Sequence, residues 1–449
     1  MRLLYVLIIG ALATSDTFSL DMSLGHGLSV KNALIYPIAL GLVFRMAMTN
    51  RSRTHLPIVN VAFLVWFGYA LLTWIACITV IHYPGYEAIP TMMMLKGKLV
   101  DSALFFFTFF YGVESEKDFL VLAKTLAFAI GMANLMTLAD VAGIVNLGIT
   151  IGTDGVEAGR VFGVFGHAND TAALIVCLLP LLIAVATSSR GWAKIVWYTG
   201  ILSSIAVLLL TVSRGAYVGV AVGYAWALWL CRRYVPASRV VSWVLVGVSS
   251  VIVCGALAAA LMPDFTQVLT GRILNQSMAV SAATASSGRT AVWSMALEGM
   301  MSNPITFLTG YGWRSYELWH TLVTHNYYLD QWFNLGIIGL LAFVTILYQT
   351  ITTALRSIAT AEPALRPYLI AFVFGLIGLA VSVFFVNLET PWDYIWMYVG
   401  LSMRAAMDAM EKTQSAPAQG KQTMLKPAGS ALHARTRVAR AGLVGDVRR

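Results

Sequence analysis

The sequence predicts an all-α polytopic membrane protein, and three observations predict it. Of 449 residues, 58% are hydrophobic and only 11% charged, where a soluble domain carries about 25% charged residues. Apolar runs near the ~20 residues that cross a bilayer recur along the chain. They are continuous rather than alternating, and several hold glycine, which favours packed helices over an outer-membrane barrel.

Each span follows in order. Residues 3–13 form a short first span behind Arg2, with no cleavage site of the signal-peptide kind after it. Residues 32–48 end in the basic "RMAMTNRSRTH", which the positive-inside rule assigns to the cytoplasm. A span over 56–81 leads to an external "HYPGYEAIPTMMMLKGK" loop. Spans over 100–111 and 119–145 are joined inside by "GVESEKD", whose acidity carries little topological weight. Spans 171–186 and 195–210 are joined by "TSSRGWAK", and 217–230 leads through "CRRYVPASR" to 241–261. The polar stretch 262–324 reads as one external loop. Spans over 327–351, 368–386 and 392–407 complete about 12, with both termini inside. On this count the basic loops after spans two, six, eight and ten share one side.

Residues 1–410 therefore read as the membrane domain. The remainder, 411–449, holds eight Lys/Arg and two Asp/Glu, hence +6 of the formal +9. Its Ala, Gly, Gln and Pro content reads as a disordered cytoplasmic tail resting on anionic lipid. No aromatic-interleaved basic fold accompanies it, so nucleic acid is not an expected partner. Cys77, Cys177, Cys231 and Cys254 lie in or beside apolar runs without CxxC spacing, and read as packing residues.

Four polar residues break the apolar pattern. Arg214 interrupts "LLLTVSRGAYVGVAVGYAWALWL", and Arg160 lies in "EAGRVFGVFGHANDTAALI" with His167, Asn169 and Asp170. Arg289 is in "SSGRTAVWSMALEGM", and His325 opens "HNYYLDQWFNLGIIGLL". The topology, drawn without them, puts all four on the external face. A charge near the membrane interior costs at least ~2.5–3.5 kcal/mol, so it normally has a partner or a task. Taken singly, Arg214 also fits a snorkelling side chain. Arg160 and Arg289 fit structural loop residues, and His325 fits a helix-start residue bonded to nearby backbone. Their gathering on one face favours function.

Guanidinium is the permanently charged fork for phosphate oxygens, and histidine, with a reference pKa near ~6.5, serves as a general base at neutral pH. No HExxH, CxxC, Asp-rich cluster or Walker-type loop points to metal or ATP. Asp264, Glu298, Glu317 and Asp330 are scattered singly, with Asp170, Glu389 and Asp393 as strays. The set fits a lipid-borne diphosphate leaving group and an acceptor hydroxyl that must lose a proton. Outside the cytoplasm the donor must arrive activated, and a polyprenyl diphosphate sugar meets that need.

The segments "RVFGVFGHANDTAALI", "SRGAYVG", "GRTAVWSMALEGMMSNPITFLTGYGW" and "HNYYLDQWFNLGIIG" resemble the O-antigen ligase and polysaccharide polymerase superfamily over about residues 160–341. The resemblance implies a C-type-glycosyltransferase-like fold in the bacterial inner membrane and a metal-independent reaction without cofactor. It implies periplasm-facing transfer of a glycan from undecaprenyl diphosphate, with His325 as base and Arg214 and Arg289 as diphosphate ligands. Arg160 would be a further phosphate or glycan contact, and Asn326, His167 and Asn169 auxiliary residues. The acceptor is lipid A-core for a ligase, the leading reading. For a repeat-unit polymerase of O-antigen or exopolysaccharide it is another lipid-linked glycan. A transporter or flippase would show ionisable pairs near the midplane and an inverted repeat, and the sequence shows neither. Tyr327, Tyr328, Trp332, Trp313 and Trp319 offer sugar-stacking faces, with an interfacial aromatic belt the leading reading for most of them.

Overall fold

The computed structural model describes residues 2–18, 23–25, 28–49, 57–148, 151–152, 159–262, 264–271, 288–320, 323–388 and 392–415. The helices are α1 (Arg2–Thr17), α2 (Val30–Thr49), α3 (Pro57–Ala76), α4 (Ala88–Leu95), α5 (Asp101–Gly112) and α6 (Glu116–Val141). Next come α7 (Ala168–Ser188), α8 (Ala193–Leu210), α9 (Arg214–Val218), α10 (Tyr224–Cys231), α11 (Ala237–Leu261) and α12 (Phe265–Thr270). The chain then forms α13 (Arg289–Met301), α14 (Pro304–Thr309), α15 (Ser315–Trp319), α16 (Tyr327–Thr360), α17 (Arg366–Ser382) and α18 (Trp392–Ser415). One short antiparallel pair, β1 (Ser23–Gly25) with β2 (Leu28–Ser29), precedes α2.

Seven of the described helices, within α2, α3, α6, α7, α8, α11 and α16, are long and apolar enough to cross a membrane, and α17 is a shorter apolar helix. The chain is thus all-α and polytopic. The other four expected spans fall on α1, α18 and the runs 88–112 and 214–231, which are short, charged or interrupted by π-helical turns at Lys96–Val100 and Gly219–Gly223. One expected loop is shortened: the connection after α3 is confined to 82–87, because Ala88 already starts a helix. Residues 262–324 carry the short helices α12 to α15, with 263, 272–287 and 321–322 outside the described residues. The basic stretch 50–56 and residues 416–449, the tail's greater part, also lie outside them.

The centre is α7, buried at every position from Ala168 to Leu182. It meets α17 almost backbone to backbone: a Cβ on Gly375 would stand 2.0 Å from the Cys177 carbonyl oxygen. Lipid tails are as apolar as leucine, so close approach through small residues is what binds such helices. All four cysteines are free and buried, in keeping with their reading as packing residues. Helix α11 turns Val241, Leu245 and Ile252 outward, as a lipid-facing helix does.

The two ends of the bundle differ. Arg2 pairs with Asp118 and Arg45 with Glu114. The acidic connection after α5, discordant by charge alone, thus lies against basic residues at one end. At the other, Lys31 bonds Asp393 at 2.6 Å, and Asp101 accepts from Asn32, Tyr36 and Lys96 at 3.0, 2.8 and 3.1 Å. Tyr394 donates to Asp16 at 2.7 Å, and its ring meets Phe165, five residues from Arg160, at 5.6 Å. Asp393, a stray in the sequence, is therefore a tied member of a helix-end network.

Candidate functional site

Arg214 is presented by a strained turn. Helix α8 stops at Leu210, and Val212 takes φ 46° before Arg214 opens α9. A β-branched residue in the left-handed region is a genuine outlier that persists only where its surroundings over-determine it. Here they do. Val161 donates its N–H to Leu210 at 3.1 Å, and Arg160 Nε donates to the Thr211 carbonyl at 2.8 Å. Arg160 Nη2 and the Ser213 hydroxyl both donate to Asn169 Oδ1, at 2.7 and 2.9 Å. Arg160 is only 2% exposed, so these donors point into the protein. His167 is the N-cap of α7, its Nδ1 accepting from the Asn169 N–H at 3.2 Å.

His325 also has a left-handed backbone, φ 51°, and does not head a straight span. Gly336, at φ 62° and ψ −168°, breaks α16 into halves 327–335 and 337–360. In one straight helix Tyr327 and Phe343, 16 residues apart, would be separated by about 24 Å; their rings are 5.0 Å apart. The first half therefore folds back along the second. Such a break frees the carbonyls of 333 and 334, whose helical partners would be 337 and 338. Tyr311 N–H takes the first and Gly312 N–H the second, each at 2.9 Å. The contact is possible only between glycines: a Cβ on Gly310 would lie 2.4 Å from Gly336 N. Asn326 caps the folded-back half, accepting from the Leu329 N–H at 3.0 Å.

Two contacts bring the arginines to this histidine. Arg289 opens α13, and Trp293, four residues on, shares its face. Trp293 Nε1 donates at 2.8 Å to the carbonyl of Thr324, the residue before His325. On the other side, the turn after α17 reaches both remaining parts. Its Val383 carbonyl accepts from the Tyr327 N–H at 2.9 Å, and Phe384 meets Trp293 edge to face at 5.6 Å. Phe385 lies where a Cβ on Gly215, beside Arg214, would sit 2.7 Å from its own Cβ. Gly219 and Gly223 continue that approach, with Cβ positions 2.0 Å from Ser382 Oγ and 2.7 Å from Gly378 Cα. The residues 383–386 thus join Arg214, Arg289 and His325 into one neighbourhood.

That turn escaped the reading of the sequence, since "VFFV" is only the end of an apolar run. The repeat of glycine every four residues from Gly215 was the available signal. Among the described residues no three His, Cys, Asp or Glu side chains gather in a way that would hold a metal ion. Asp330 accepts from Asn334 Nδ2 at 3.1 Å, within its own helix. Residues 199–344, about a third of the chain, match the family model described as O-Antigen ligase. The match supports the superfamily read from the motifs and takes in Arg214, Arg289 and His325, while Arg160, His167 and Asn169 precede it. No curated protein matches the chain.

Proposed function

Starting from the O-antigen ligase match over residues 199–344, we propose that this chain transfers a glycan from undecaprenyl diphosphate to an acceptor sugar hydroxyl at the external face of the bacterial inner membrane. The observation that carries the reading is the convergence of two cationic helix starts, Arg214 and Arg289, on His325 through Thr324 and the turn 383–386. The His325 imidazole takes the acceptor hydroxyl proton, and the freed oxygen attacks the anomeric carbon. The bond from that carbon to the diphosphate breaks, and Arg214 and Arg289 hold the charge that leaves with the lipid. Guanidinium here takes the electrostatic role that a divalent metal has in many phosphate enzymes, so the scheme uses no cofactor.

The acceptor in this reading is lipid A-core. A deletion strain is expected to show bare core with accumulated lipid-linked glycan. Core capped by a single repeat would instead identify repeat-unit polymerisation, and an unchanged glycan profile would overturn both.

Arg160 is assigned to positioning Arg214 rather than to the diphosphate, because its Nε donates to the turn's Thr211 carbonyl and its Nη2 to Asn169 Oδ1 of α7, which also holds the turn's Ser213. Arg160→Ala removes the donor from the buried Thr211 carbonyl, worth about 1–3 kcal/mol when left unmade, and one of the two donors to Asn169 Oδ1, which keeps Ser213. The expected result is a lower melting temperature together with reduced activity, and Arg160→Lys should rescue neither fully. An unchanged melting temperature with only a raised KM for donor would return Arg160 to the substrate.

A further inference from the structure

Beyond the reacting centre, aromatic side chains from the connection 82–87 and from α15 form a fixed cluster. Tyr83 donates its hydroxyl to the Tyr311 carbonyl at 2.9 Å, and Tyr86 donates to the Trp313 carbonyl at 2.6 Å. Burial pushes the Tyr83 hydroxyl up to about 12, so it stays a protonated donor. Tyr311 in turn donates to Gly299 at 2.6 Å, and the Trp313 indole donates to Thr91 at 3.2 Å. Each of these polar handles is used inside the protein. Trp319 differs in two respects. It is 41% exposed, and its indole N–H donates to none of the described residues.

Trp319 is nonetheless held in place. Tyr83 and Tyr311 meet it edge to face at 5.0 and 4.8 Å, and Phe333 lies 6.0 Å away. The result is a rigid indole with an exposed apolar surface and a donor that no described residue takes up. A pyranose matches that pair of features, with aliphatic C–H groups on its face and hydroxyls around its rim. Phe333, which supports the indole, stands six residues after Tyr327 on the half-helix 327–335 that follows His325, about 9 Å along its axis. That separation exceeds the reacting bond and suits sugars further along the chain.

We propose that Trp319 is the platform of a glycan subsite that holds sugars beyond the one undergoing transfer. Calling those sugars part of the transferred or accepting chain rests on the proposed glycosyl transfer; the binding itself does not. An interfacial belt residue is the competing account, and it predicts contact with lipid rather than with glycan. The turn-tied hydroxyls of Tyr83 and Tyr86 favour a built platform, because belt tyrosines direct that group towards headgroups.

Saturation-transfer NMR on the full chain in nanodiscs tests this with two probes. One is the repeat-unit oligosaccharide released by mild acid from the source strain's surface polysaccharide, and the other is the core oligosaccharide of its lipopolysaccharide. Binding of the first places the donor glycan on Trp319, and binding of the second places the acceptor. Trp319→Ala is expected to raise the Kd of the bound probe about tenfold or more, while Trp319→Phe and His325→Ala stay within about threefold. Since binding needs no turnover, a failed transferase reading would appear as active His325→Ala with this binding pattern intact. The subsite is overturned if neither probe binds the unsubstituted chain, if Trp319→Ala binds as tightly, or if brominated lipids quench the emission that Trp319→Phe removes.

Discussion

His325→Ala should lower turnover by roughly 100- to 10,000-fold, the usual loss when a general base is removed, while the chain stays folded and inserted. The bonds that fix this segment support the second half of that expectation. Asn326 Oδ1 caps the helix, the Val383 carbonyl holds the Tyr327 N–H, and the Thr324 carbonyl holds Trp293. All three are made by residues other than His325 and remain in the variant. The left-handed backbone at φ 51° adds a control. A left-handed residue costs an L side chain roughly 1–2 kcal/mol, which glycine avoids. His325→Gly should therefore equal or exceed the parent in melting temperature and still be inactive. Appreciable turnover by the purified glycine or alanine variant would exclude His325 as base and leave it a structural turn residue.

The second large effect separates charge from shape. Arg289→Ala is expected to cost roughly 100- to 1,000-fold in kcat, the scale seen when one donor to a developing anion is lost. Arg289→Lys should be nearly as damaging. A lysine keeps the charge but presents a point ammonium in place of the planar fork that matches two phosphate oxygens. The loss should fall on kcat as well as on donor KM, because leaving-group charge grows as the glycosyl bond breaks. Trp293, on the same face of α13 and bonded to Thr324, provides a contrast. Trp293→Phe should loosen the His325 segment without touching donor affinity. A lysine variant that retains most of its activity would reduce Arg289 to a contributor of general positive potential.

The reach of the sequence is clearest at Arg214, Arg289 and His325. Arg214 interrupts an apolar run and His325 heads one, and the energy of placing charge near lipid is a local property readable from one residue and its neighbours; Arg289 lies in the polar stretch 262–324 and is marked by its motif. The same locality misled at α16. Apolar residues continue on both sides of Gly336, so the stretch resembles one span, although 34 residues exceed the ~20 a bilayer needs. Arg160 shows the same limit. From sequence it is one more arginine in a polar loop; only the fold shows its donors on Thr211 and Asn169.

By itself, then, the sequence determined that this chain is a bundle of apolar helices, that its cysteines are packing residues, and which four side chains stand apart. Composition and period suffice for these, because burial in lipid acts on every residue independently. The tertiary structure alone decided that the chain doubles back at Gly336, that the acidic connection after α5 meets Arg2 and Arg45, and that residues 383–386 join the arginines to the histidine. Those outcomes depend on distances between segments far apart in the chain, and at Gly336 and at residues 383–386 those distances are set where a missing Cβ lets the chain approach closely. A pattern of hydrophobicity along one strand of sequence carries no record of which glycine faces which.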